Sequence, residues 1–315
     1  MINLTSIRIM IPLGYSPQKW SEAPRLSMRT AIRDSTHALL HRLHLSLFRH
    51  VPIEDLASLA NLKALSLADC TLCEKDTNRT SGGKDLRDAH LEFLELRRTK
   101  EDSFESHIIT PLLARGEQGR FLLPLAHLKS FDTEVHSIAS FESLIHLMEQ
   151  HRVTGLEHLG INICMTMHNF ADIPGGDCSL WLDRILLPQE KTLKSLKIET
   201  SIYSIYQDPL SGLCKTLGRF ASDNPMEKIV ILATVQVDGF CAVGEEWHEL
   251  TRVLTNGNWS HMKEVELGLV VQTFYRPRNA HNELIRSLEE LPATYLKPLC
   301  SQSFAFEFMV TNQYF

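Results

Sequence analysis

The segment Leu62–Leu72 reads LKALSLADCTL, with leucines at its first, fourth, sixth and eleventh positions and a cysteine at its ninth. Successive side chains of a strand point to opposite faces, so a short strand here directs its leucines to one side. We expect Leu62, Leu65 and Leu67 to point inward, and Cys70 to occupy the tight turn that follows. The pattern therefore predicts one rung of a repeating structure.

This spacing is the leucine-rich-repeat template LxxLxLxxCxL, and the rest of the chain repeats it imperfectly. The ten rungs lie between 22 and 41 residues apart, with a mean of about 33, longer than the roughly 20 to 29 typical of such repeats. The middle inward residues of the rungs are Ile7, Leu43, Leu65, Leu94, Phe131, Leu159, Leu196, Ile229, Val265 and Phe306.

The repeats predict an α/β fold with a single domain over residues 1–315. We expect a right-handed leucine-rich-repeat solenoid, or horseshoe, of about ten irregular repeats, with a parallel sheet on its concave side and helices and irregular loops on its convex side. A doubly wound sheet is the alternative, and it requires strands that are continuously apolar. Rungs such as Leu91–Leu96 (LEFLEL) alternate instead, which favours the solenoid.

The sequence also predicts a helix that begins near residue 140. Phe141, Leu144, Ile145 and Met148 follow the spacing of a buried helical stripe, and Ser140 is placed to cap its first turn.

Composition excludes several classes of protein. The chain has 315 residues, 43% of them hydrophobic and 22% charged, which is typical of a globular or repeat protein. Its net charge of -6 gives no broad positive field, so nucleic acid is not an expected ligand. No apolar run approaches the roughly 20 residues of a membrane span, so we expect no membrane partner.

The seven cysteines are odd in number and scattered, as in proteins of a reducing compartment. The first residues lack the basic start and unbroken apolar run of a secretory signal. Together these features predict a cytoplasmic or nuclear protein.

No catalytic, cofactor-binding or metal site is predicted. Cys70 and Cys73 form a CxxC without a second half-site at zinc spacing, and Ser81–Lys84 lacks the first glycine of a phosphate loop. His41 and His44 are three residues apart on a strand, so they do not share a face. An enzyme of unknown type, with its site on the concave loops, remains the alternative to a non-catalytic scaffold.

The long uneven repeats, the segment Leu62–Leu72 and phrases such as LEFLEL at Leu91–Leu96 and LKSLKI at Leu193–Ile198 resemble the leucine-rich-repeat region of fungal F-box-like proteins. The resemblance covers nearly the whole chain and implies the substrate-recognition part of a ubiquitin ligase receptor. In such proteins an F-box docks on a Skp-type adaptor. No F-box is seen in this sequence, so that partner is expected only if an F-box lies upstream.

The residues between the inward leucines are predicted to form a concave surface that binds a protein or peptide. The first four rungs carry a net positive charge on this surface and the last six a net negative charge, and Phe93, near Glu95, Arg97 and His44, is the expected aromatic anchor. The predicted binding residues are Arg8, Arg42, His44, Phe93, Glu95, Arg97, Asp132, Glu134, His158, Lys197, Glu199, Lys228, Glu264, Glu266 and Glu307.

Overall fold

The computed structural model describes residues 5–10, 18–19, 40–74, 90–97, 104–116, 119–164, 177–202, 208–220, 223–235, 245–256, 259–273 and 279–314. The chain forms two compact units. Unit 1 comprises Met1–Glu134 and Ala139–Gly155, and unit 2 comprises Val135–Ile138 and Leu156–Phe315. The single domain expected over residues 1–315 stays a prediction.

Five parallel strands lie side by side in unit 1, in their order along the chain. The predicted inward residues are register partners, because Ile7 lies opposite Leu43 and the row continues through Leu65, Leu94 and Phe131. The strands are β1 (Ser6–Met10), β2 (Arg42–Ser46), β3 (Ala64–Ala68), β4 (Phe93–Arg97) and β5 (Ser130–Val135). Two-residue strands also pair Gln18–Lys19 with Phe48–Arg49, and Val51–Pro52 with Leu72–Cys73.

Unit 2 repeats this arrangement with longer strands, which are parallel and again follow chain order. The row of inward register partners runs from Leu159 through Leu196, Ile229 and Val265 to Phe306. The strands are β6 (His158–Ile163), β7 (Ser195–Ile202), β8 (Lys228–Val235), β9 (Glu264–Thr273) and β10 (Ala305–Tyr314). In both units, a rung therefore presents the same template positions as its neighbour.

Helical segments connect the strands. The predicted stripe of Phe141, Leu144, Ile145 and Met148 is buried, as expected. The predicted cap at Ser140 is wrong, because the helix begins at Ile138 and Ser140 is buried within it. The α-helices are α1 (Ile53–Ala57), α2 (Thr110–Leu112), α3 (Ile138–His151), α4 (Ser179–Leu186), α5 (Leu213–Leu217), α6 (Glu245–Asn256), α7 (Asn279–Glu289) and α8 (Leu291–Thr294). A π-helical turn spans Glu105–Ile109, and 3₁₀-helices span Leu187–Gln189 and Lys297–Ser301.

The inward leucines form the core. Leu62, Leu65 and Leu67 are all 0% exposed, and burying one such side chain contributes about 1.5 to 3 kcal/mol. Cys70 is 3% exposed, and its sulfur lies 3.4 Å from the backbone oxygens of Leu45 and Ala68, which share its single thiol proton. The predicted α/β fold, with parallel strands alternating with helices in a solenoid-like leucine-rich repeat, is confirmed.

A ladder of alternating charges lies immediately before the strands. The Nζ atoms of Lys194 and Lys263 lie 2.7 Å from Oε2 of Glu157 and Glu227 respectively. In unit 1, Lys63 Nζ lies 3.2 Å from Glu92 Oε1. The same residues are linked through their backbones, since the N–H of Lys194 donates to the oxygen of Glu157 at 2.8 Å. We call this series the charge ladder.

Candidate functional site

The strand positions that alternate with the inward residues form what we call the open face of each unit. All fifteen predicted binding residues lie on these open faces, and each is half-buried or exposed. Eight lie in unit 1 and seven in unit 2. Because each unit keeps one register, open-face residues at the same template position form rows across neighbouring strands.

The central row of unit 1 crosses all five strands. Its members, in register, are Arg8, His44, Ser66, Glu95 and Asp132. One end of the row is therefore positive and the other end negative. This order follows from the sequence as soon as the rungs are aligned.

Three members of this row are joined by hydrogen bonds. The Ser66 hydroxyl donates to the Glu95 carboxylate, and His44 Nδ1 lies 2.7 Å from Ser66 Oγ. A hydroxyl has one proton, so His44 Nδ1–H is the donor in the second bond. Glu95 also forms an ion pair with Arg97, whose Nε lies 2.6 Å from Glu95 Oε1. These contacts hold the His44 and Glu95 side chains over Ser66, which is buried.

Within this row, burial and the neighbouring charges change the pKa of His44. Burial lowers the pKa of His44, and the positive charge of Arg8 lowers it further, while Glu95 acts in the opposite direction. His44 is therefore neutral at neutral pH. The arrangement does not make Ser66 a nucleophile activated by histidine, because such a histidine would have to accept the hydroxyl proton.

Phe93 lies in a different row from His44. Its register partners are Ala64 and Ser130, whereas His44 pairs with Ser66. The two small neighbours leave Phe93 half-buried rather than enclosed. The role of Phe93 as an anchor stays a prediction. Its neighbours on the adjacent strands are Ala64 and Ser130, and not His44 as expected.

The open face of unit 2 carries ion pairs. Lys228 Nζ lies 2.5 Å from Glu266 Oε1 and 3.0 Å from Glu264 Oε2. These contacts raise the pKa of Lys228, and the hydrogen bond from Lys228 lowers the pKa of Glu266. Lys197 and Glu199 form a second pair at 2.5 Å. The remaining predicted residues of this face are His158, which is exposed at the start of β6, and Glu307 on β10.

An apolar row crosses the same face. Leu232, Gly268 and Met309 are register partners. A Cβ atom at Gly268 would lie 2.7 Å from Leu232 Cδ2, so the glycine leaves the space that the Leu232 side chain occupies. Met309 is 60% exposed. The sequence pattern predicts that these residues lie on the surface. It does not reveal that the Leu232 side chain depends on a glycine in the neighbouring strand.

The described residues contain no group of three or more potential ligands that could hold a metal ion. Burial raises the pKa of Cys70 to about 12, so this thiol stays protonated and is a poor ligand or redox partner. Cys73 donates to the backbone oxygen of His50 at 3.3 Å. The segment Ser81–Lys84 lies outside the described residues.

The sequence gives no signal for two polar groups, the buried His151 and the half-buried Asp208. His151 accepts a hydrogen bond from the N–H of Leu125 at Nδ1 and contacts the backbone oxygen of Leu112 through Nε2 at 3.1 Å. Burial lowers its pKa to about 4. Asp208 accepts the N–H groups of Leu210 and Gly212 and so fixes the turn before α5. Both groups stabilise connections rather than line an open face.

Comparison with protein-family models and with curated proteins finds no match. Among solved structures, the chain is similar to the crystal structure of an internalin (inlF) from Listeria monocytogenes. The two are 15% identical with a TM-score of 0.31, and the match covers 88% of this chain and 69% of the internalin chain. Within the described part, no helix is both long and apolar enough to cross a membrane.

Proposed function

We propose that this chain is a non-catalytic scaffold that binds a protein or peptide partner on the open faces of its strands. The fold supports the proposal, because stacked repeats present extended surfaces of the kind that binding proteins use. The observation that carries it is the row Arg8, His44, Ser66, Glu95 and Asp132. Three of its side chains are joined by hydrogen bonds, and the row runs from positive to negative on a surface open to a partner.

The partner's charge should complement these faces. The first four strands carry Arg8, Arg42 and Arg97 against Glu95, whereas unit 2 carries Lys197 and Lys228 against Glu199, Glu264, Glu266 and Glu307. Complementary charge orients an encounter and accelerates it more than it adds affinity. Phe93, which lies between Ala64 and Ser130, supplies an aromatic contact on the face of unit 1. A partner with an acidic region for the first four strands of unit 1 and a basic region for unit 2 fits this distribution.

A finer form of the proposal follows from the resemblance to F-box-like proteins. In that form the open faces hold a substrate for ubiquitin transfer, and a Skp-type adaptor is recruited through an F-box upstream in the native gene. The test is co-purification of the Skp-type adaptor and a cullin with the protein expressed from its full native gene. Absence of both would remove the ligase role and leave the scaffold.

The scaffold itself is tested by reversing charge on one open face. E264K/E266K removes the two carboxylates beside Lys228, and the control E289K/E290K makes the same charge change on exposed residues at the end of α7 and just beyond it. Each variant is used to capture proteins from an extract of the source cells, quantified by mass spectrometry at low salt. We expect a defined set of proteins to be lost by E264K/E266K and retained by the control.

The same experiment has a result that contradicts the proposal. Capture that is equal for the wild type and both variants, or that is lost equally by both variants, would show that the open face does not select the partner. Circular dichroism of each variant establishes that it remains folded.

A further inference from the structure

The two outermost strands differ from all the others in how well their inward residues are buried. In β2 to β9 the middle inward residues are 0–2% exposed. The same positions in β1 and β10 are half-buried, at Ile7 and Ile9 and at Phe306 and Phe308. Among the described strands, β1 pairs only with β2, and β10 pairs only with β9. One edge of each therefore has no strand beside it in the described part of the chain.

The two strands at these edges keep the apolar residues of the repeat template. An exposed strand edge is a template for pairing with another chain. Here β1 reads SIRIM and β10 begins AFEFM. Met10 is 54% exposed and Met309 is 60% exposed, and they are two of the three exposed large hydrophobic residues among those described.

The register of the sheet specifies how these two edges would match. Within each unit, the middle inward residues of neighbouring strands are partners, as Val265 is with Phe306. Continuing that rule from β10 to the β1 strand of a second copy places Ile7 opposite Phe306. In the same register, Ile9 lies opposite Phe308 and Met10 opposite Met309.

Charge selects the same register. Glu307 lies beside Glu266 in its row, and like charges on neighbouring strands are unfavourable. Neither Glu307 nor Arg8 has an ion pair with another described residue, and Arg8 Nε donates to the Met10 sulfur at 3.0 Å. The register that joins Phe306 to Ile7 places Arg8 of the second copy opposite Glu307.

We propose that copies of this chain associate head to tail, with β10 of one copy pairing in parallel with β1 of the next. The contact buries the half-exposed Ile7, Ile9, Phe306 and Phe308 and pairs Arg8 with Glu307. It is heterologous, so each copy in a pair keeps one unoccupied edge and further copies can add. This inference does not depend on the proposed binding function, because it concerns pairing between copies at strand edges and is measured without any other partner. Arg8 and Glu307 also lie on the open faces.

The test is sedimentation velocity of the untagged chain 1–315 over a range of concentrations. Four variants accompany the wild type: R8E, E307R, the double variant R8E/E307R, and R42E as control. R42E makes the same charge change as R8E on an exposed residue of an inner strand of the same face. Thermal unfolding of each variant checks that it is folded.

We expect the wild type to sediment faster as concentration rises, and R42E to behave like it. R8E and E307R place like charges opposite each other, so association should weaken by about tenfold or more. R8E/E307R restores an opposite pair in reversed order and should recover association.

The inference is overturned if the wild type stays monomeric throughout. It is equally overturned if R42E weakens association as much as R8E does, or if the double variant fails to recover it. A symmetric contact between two β10 strands would respond to E307R but not to R8E, which also contradicts the proposal.

Discussion

The ammonium group of Lys194 lies 2.7 Å from the carboxylate of Glu157, and the N–H of Lys194 donates to the backbone oxygen of Glu157 at 2.8 Å. A side-chain contact and a backbone contact thus join the same two residues of neighbouring rungs. The hydrogen bond to Glu157 raises the pKa of Lys194, and Glu227 on the other side adds to this effect. The charge ladder therefore favours one order and one register of rungs.

The first prediction concerns this ladder. K194E would place an acid between Glu157 and Glu227, so the melting temperature should decrease slightly at low salt and recover as salt screens the repulsion. The control is K191E, which makes the same charge change at an exposed neighbouring residue. The measurement is thermal unfolding at low and high salt. Equal, salt-independent decreases in both variants would contradict the role of the ladder.

The second prediction concerns pH and His151. Its folded pKa of about 4 lies below the ordinary value of 6.5, so the unfolded state binds the proton more readily between these values. The stability that neutral His151 provides is fully present above pH 6.5 and is lost as pH falls toward 4, by about 3 kcal/mol in all. Urea unfolding across this range measures the loss.

The control for this prediction is His146, which is exposed on the same helix. H146Q should keep the pH dependence of the wild type. H151Q should have a flatter profile and lower stability at neutral pH, because the N–H of Leu125 loses its acceptor. An unchanged slope in H151Q would contradict the assignment.

The third prediction concerns the thiols. Cys70, Cys178 and Cys214 are buried, and burial raises the pKa of each, whereas Cys300 is exposed. Only thiolates react with alkylating agents at an appreciable rate. Brief treatment of the folded protein with iodoacetamide at neutral pH should label Cys300 and leave Cys70 unlabelled, as read by peptide mass spectrometry. Labelling of Cys70 at the rate of Cys300 would contradict its role in the turn.

The fourth prediction concerns Gly212, which has a φ of 74° at the start of α5. A Cβ there would overlap the Asp177 carboxylate and approach the Ser179 nitrogen at 2.8 Å. G212A should therefore destabilise the protein by about 2 kcal/mol or more. The control is G155A, whose Cβ would meet nothing within 4 Å. Chemical denaturation compares the two, and equal effects would show that the turn tolerates a side chain.

Much of the fold could be predicted because the leucine template fixes which residues point inward. Once Ile7, Leu43 and Leu65 are aligned, their register partnership follows, and so do the rows of the open face. The charge ladder could also be predicted from the sequence, because the charge of the residue at the second template position changes sign from one rung to the next, as at Glu157 and Lys194. It was missed because that position lies outside the strand, where side-chain alternation gives no guidance.

Other features depend on contacts that no repeat template contains. His151 binds backbone groups of Leu112 and Leu125, which lie in a long irregular connection. The helix α3 begins at Ile138 rather than after Ser140, so Ser140 is buried inside the helix instead of capping its first turn. Such details depend on tertiary packing, so they could not be read from the sequence.

The central claim is that the open faces of the strands hold a partner, and site-specific photo-crosslinking tests it most directly. A photoreactive amino acid would replace Arg42 or Ser195 on the open faces, and Arg184 or Lys191 on the helical side, each in a separate variant incubated with the same cell extract. We expect the same partner protein to crosslink from the open-face positions and not from the helical side. Crosslinks to that partner from Arg184 or Lys191 alone would contradict the account.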